Sequence, residues 1–122
     1  MSAIVVLVTA PTRAEASRLA KRLVRERLAA CVSMVPSIRS IYWWKGQVEQ
    51  ADESLLLIKT LPGKFNALTK RLQAMHSYTV PEVLALPVVR GSARYLAWMR
   101  QSLKVSDTKL KRLPSARHPG RP

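Results

Sequence analysis

The chain has 122 residues, 48% of them hydrophobic, enough to build one domain around a single core and too few for two ordinary ones. Its 21 Lys and Arg against 7 Asp and Glu give a formal charge of +14, which attracts anions in general and specifies no partner. The single cysteine, Cys31, excludes an internal disulfide, and with no CxxC pair or zinc-spaced Cys/His cluster a reducing, cytoplasmic setting is expected.

The apolar run from Ala3 to Val8 is far shorter than a membrane span and follows no basic residue, so it predicts a strand, Ile4 to Thr9, and no membrane insertion. Thr12-Arg13-Ala14-Glu15 has the form of a capping box, in which Thr12 and Glu15 satisfy each other's free amides. Ala16, Leu19, Ala20, Leu23 and Val24 then recur at helical spacing, predicting an amphipathic helix to about Ala29. Cys31 to Val35 reads as a short strand interrupted by Pro36, and Ile38 to Trp44 resumes with alternation. Lys45-Gly46 offers a tight turn into a return strand through Val48, with a polar break at Asp52 and Glu53, then Leu55 to Thr60.

Phe65, Leu68, Leu72 and Met75 give a second helical stripe, which His76 to Thr79 leave before a strand from Pro81 to Val89. Ser92 caps a last helix whose Tyr95, Trp98, Met99 and Leu103 share a face suited to docking on the domain. Residues 1–103 form one predicted domain. The tail, 104–122, holds six basic residues and three prolines, and it is expected to be disordered and open to non-specific polyanion contact.

The order β-α-β-β-α-β plus a helix predicts an α+β, ferredoxin-like fold: a split βαβ antiparallel sheet with both crossover helices on one face. The other face is then bare. Because Leu55 to Ile58 is apolar on both sides of the pleat, self-association is the expected cover.

Five stretches carry a family resemblance in register: Arg27 to Val32; Ser40, Tyr42, Trp44 and Gly46 in an SxYxWxG pattern; Glu53 to Thr60; His76, Tyr78, Pro81 and Glu82; and Tyr95-Leu96-x-Trp98. Together they resemble the CutA divalent-cation tolerance family over roughly residues 4 to 103. The resemblance implies a ferredoxin-like homotrimer, similar to the PII-type signalling proteins, and a link to tolerance of divalent cations, copper above all. Two positions depart from the family pattern: Ser33, where asparagine is more usual, and Ser77, where proline commonly follows the histidine. The strong positive charge is also unusual for it.

The candidate metal ligands are Cys31, whose thiolate suits Cu(I), together with His76 and Glu82. Each has an ordinary structural role open to it: core filler for Cys31, a helix-end carbonyl partner for His76. One chain does not complete a soft-ligand shell, so such a site is expected to be shared between copies. Tyr42, Trp44, Lys59 and Tyr78, with His76 and Glu82, are expected to line a cleft between subunits that binds a cation or small polar ligand. Trp43 and Trp44 equally suit a hairpin tip docked on a neighbour. No nucleophile elbow, phosphate-binding glycine loop or HExxH is present, so no enzymatic activity is expected. Two other readings stay open: a PII-like regulator binding a small ligand, and nucleic-acid binding through basic surface.

Overall fold

A computed structural model describes residues 3–104, so the tail beyond Lys104, with its predicted disorder and polyanion contact, lies outside the described residues. In chain order the protein has β1 (Ile4–Ala10), α1 (Arg13–Arg25), β2 (Cys31–Trp44), β3 (Gln47–Thr60), α2 (Phe65–Met75), β4 (Leu84–Pro87) and α3 (Ala93–Leu103). The four strands make one sheet in the order β2-β3-β1-β4, with every neighbouring pair antiparallel. This is the predicted ferredoxin-like split βαβ arrangement, with its final helix.

The core follows from two periodicities. Val6 and Val8 of β1 and Leu56 and Ile58 of β3 point to one face of the sheet. There they meet Leu19 and Leu23 of α1 and Leu68 and Leu72 of α2, all fully buried. Truncating any of these leucines to alanine is expected to cost about 2–5 kcal/mol. α3 packs elsewhere: Met99 and Leu103 bury against Ala3, with Tyr95, Leu96 and Trp98 around them.

Several boundaries differ from the sequence expectation. α1 ends at Arg25, not near Ala29, because Arg27 takes a left-handed backbone (φ 62°) and the N–H groups of Leu28 and Ala29 both return to the Leu23 carbonyl. β4 covers only Leu84–Pro87, the length that pairs with Ile4–Leu7 of β1. β3 runs without a break through Asp52 and Glu53; the irregularity lies across from it in β2, between Val35 and Ile38. At the tip, Lys45 (φ 51°) and Gly46 (φ 82°) make a two-residue turn of the kind whose twist matches a hairpin.

The irregularity in β2 decides which side chains share a face. Val35 pairs with Leu55 and Ile38 with Glu53, so three steps on β2 match two on β3. One residue is extra, a β-bulge, and the Ser54 hydroxyl donates to the Pro36 carbonyl at 3.1 Å across it. Since side chains alternate, an extra residue exchanges the faces of everything beyond it. Cys31, Ser33 and Val35 stand on the face away from α1 and α2, and past the bulge Ser40, Tyr42 and Trp44 take over that face. On this same face Leu84 and Leu86 of β4 pair with Leu7 and Val5 and are 56% and 48% exposed. The bare apolar face predicted from sequence is therefore present in the single chain.

Candidate functional site

The bulge brings Ser40, Tyr42 and Trp44 to the side of the sheet that carries Thr9 and Glu53. The segment following α2 closes over them with Tyr78 and Glu82, enclosing a cleft of about 680 Å³. Among the described residues none of the side chains lining it is basic, in a chain of formal charge +14.

A hydrogen-bonded chain fixes that segment. α2 ends at His76, whose amide still bonds the Leu72 carbonyl at 2.8 Å while its backbone has turned extended. The buried ring then ties β1 to the segment after α2: Nε2 lies 2.7 Å from the Thr9 carbonyl, and Nδ1 accepts the Tyr78 N–H at 3.0 Å. This pattern assigns the tautomer protonated on Nε2. Next door, Glu15 takes the Ser77 N–H on Oε2 and the Ser77 hydroxyl on Oε1, both at 2.8 Å. Burial alone would raise the Glu15 carboxyl, but these two donors, with the Arg18 charge and that of His76 once its ring takes a second proton, hold it below its ordinary 4.5. Half of the predicted capping box forms, the Glu15 N–H donating to Thr12 Oγ1 at 3.1 Å; the carboxylate goes to Ser77 instead of returning to Thr12.

Tyr78 reaches across the cleft and donates its phenol hydrogen to Glu53 Oε2 at 2.6 Å. Burial, then that hydrogen bond and the Glu53 charge, push the phenol's ionisation well above its ordinary 10.0, so it stays a donor at neutral pH. Glu53 is only 7% exposed. Glu82, farther along the same segment, has its carboxyl raised above 4.5 by burial and by the Glu53 charge. Two carboxylates in one cleft, walled by Tyr42, Trp44 and Tyr78, attract a positive ligand and repel an anionic one.

Of the residues singled out from sequence, Tyr42, Trp44, Tyr78 and Glu82 meet in this cleft, and His76 lies behind it as its support. Cys31 and Lys59 do not join them. They pair across β2 and β3, six residues along β3 from Glu53, roughly 20 Å at ~3.3 Å per residue. There the Lys59 ammonium donates to Ser33 Oγ at 2.5 Å and lies 3.8 Å from Cys31 Sγ. Among the described residues no three His, Cys, Asp or Glu side chains group so as to hold a metal ion. The soft donors Cys31 and His76 do not fit one copper site within a chain: they are far apart, and both His76 nitrogens are engaged. Glu53 and Glu15 escaped the sequence reading. Glu53 was visible as an odd-numbered member of the run with Leu55 and Leu57, and only the bulge shows what faces it.

The same chain was compared with known proteins. The family described as CutA1 divalent ion tolerance protein matches it over residues 4–102. It is 50% identical over 98 residues to the divalent-cation tolerance protein CutA of Thermus thermophilus, covering 80% of this chain and 95% of that one. It is 48% identical over 103 residues to the chloroplastic CutA 1 protein of Oryza sativa subsp. japonica, covering 84% of this chain but 58% of that protein. It therefore spans little more than half of the rice relative. The crystal structure of CutA1 from Oryza sativa superposes with a TM-score of 0.83 at 46% identity, covering 87% of this chain and 97% of that one.

Proposed function

The chain belongs to the CutA1 divalent ion tolerance family, and from that premise we propose that it is a non-catalytic, cytoplasmic homotrimer that acts in divalent-cation tolerance by binding a positively charged ligand in the Tyr42–Tyr78–Glu82 cleft. The observation that carries this reading is that Glu53 and Glu82 line one cleft which, among the described residues, has no basic side chain in its lining.

Self-association is supported by the bare sheet face. Leu84 and Leu86 stand exposed beside the half-buried Leu7, Val5 and Leu57, and beyond the bulge the hairpin extends Tyr42 and Trp44 outward on the same side. A contiguous apolar face of this kind is costly to leave in water, and further copies of the chain cover it without any other partner.

Copper is the ion to test first. Its site is proposed either at the cleft carboxylates or between copies, where Cys31 of more than one chain can meet. A nucleotide-binding regulator is disfavoured by the same two carboxylates, which repel phosphate; a regulator responding to a small cation is not. Light scattering of the full-length protein, with and without stoichiometric Cu(II), tests the assembly and its response together. A mass of three chains supports the proposal, and a monomer in both conditions rejects it.

A further inference from the structure

Deepening the cation reading of the cleft, on which it rests, we infer that the cleft is built for a small organic ammonium ion, held between the Glu53 and Glu82 carboxylates and the rings of Tyr42, Trp44 and Tyr78.

Size is the first ground. A volume of about 680 Å³ falls in the ~300–1,000 Å³ range of sites that take small organic molecules. A bare divalent ion fills a small fraction of it. The second ground is the donor set. Hard divalent cations collect about six or more oxygen ligands, and softer ones seek nitrogen or sulfur. The cleft presents two carboxylates and otherwise neutral hydroxyls, such as those of Ser40 and Thr79, and Glu53 already accepts the Tyr78 hydroxyl at 2.6 Å. A bare ion would depend mainly on water and leave the aromatic walls without a role.

The walls are the third ground. Ring faces of Trp and Tyr attract ammonium groups within ~6 Å of their centroids, and carboxylates beside such rings complete the recognition of an organic cation. This chain shows the contact at the hairpin tip, where the Lys45 ammonium lies 5.8 Å from the centroid of the Trp44 ring. An ammonium between Glu53 and Glu82 also relieves the repulsion that the two carboxylates exert on each other.

Calorimetric titration of the full-length protein decides the matter, using benzyltrimethylammonium chloride, 1,4-diaminobutane, CuCl₂ and MgCl₂ at matched ionic strength. Wild type is expected to bind both amines. Glu82→Gln is expected to weaken both by about tenfold or more. Trp44→Leu is expected to weaken benzyltrimethylammonium by about three- to tenfold. If a metal ion binds and is lost in Glu82→Gln while neither amine binds, the ammonium inference falls and the cation reading of the cleft stands. If none of the four binds, both fall. Amine binding that neither substitution alters lies elsewhere on the protein and also overturns the inference.

Discussion

Tyr78 and Glu53 are joined by a 2.6 Å hydrogen bond that ties the segment after α2 to the middle of β3, and with it one lip of the cleft to its floor. Glu53 is nearly inaccessible to water, so its carboxylate depends on that donor. The phenol sits where it does because the Tyr78 amide is held by His76, whose ring is in turn held by the Thr9 carbonyl.

Tyr78→Phe removes the donor and keeps the ring. Leaving a buried carboxylate short of a partner is expected to cost about 1–3 kcal/mol. Urea unfolding at neutral pH should show a lower midpoint with unchanged slope.

Glu15 gives a pH-dependent test. Its carboxyl is held below 4.5 in the folded chain, so the stability it contributes is fully present above that value and is lost as pH falls through the lower folded one. Glu15→Gln should flatten the acid limb of the stability curve measured below about pH 5. Ser77→Pro removes both the N–H and the hydroxyl that Glu15 accepts, and it should flatten the same limb, whereas Ser77→Ala should do so only in part.

Glu82 has the opposite sign. Its carboxyl is raised, so the ionised form is disfavoured by folding and the group opposes stability at neutral pH. Glu82→Gln should therefore leave the thermal midpoint unchanged or higher while weakening cation binding in the cleft by about tenfold or more. A fall in the midpoint would show the carboxylate to be structural.

The bulge makes a sharper prediction. Deleting Ser37 restores matched steps on β2 and β3, and Ser40, Tyr42 and Trp44 keep their β3 partners and stay on the cleft side. Strand content by circular dichroism and ligand binding should both survive.

Leu57→Glu places a charge in the middle of the bare face. Light scattering should then show single chains that keep native secondary structure, where the wild type forms the proposed assembly.

The sheet, its order and its two crossover helices were legible in the sequence because alternation and helical periodicity report burial directly. Tyr42, Trp44, Tyr78 and Glu82 were legible as cleft residues through the family pattern. Lys59 was grouped with them, and Cys31 with His76 and Glu82 as a metal ligand, because a linear reading does not measure distance along a strand, and the ladder sets both at the other end of β3. Glu53 was read as part of a polar break because an acidic residue in a strand gives no sign of its partner. Its role depends on a bulge one strand away and on a tyrosine 25 positions later. Glu15 and Ser77 form another such pair: a local capping rule predicted a local partner, and a residue 62 positions on took the carboxylate instead.

The most direct measurement is calorimetric titration of Cu(II) into the full-length wild type, the Glu53→Gln/Glu82→Gln double variant and Cys31→Ser. The account of the cleft as the cation site predicts binding that disappears in the carboxylate variant and persists in Cys31→Ser. Binding that survives loss of both carboxylates and disappears with Cys31 would contradict it and move the site to the opposite end of the sheet.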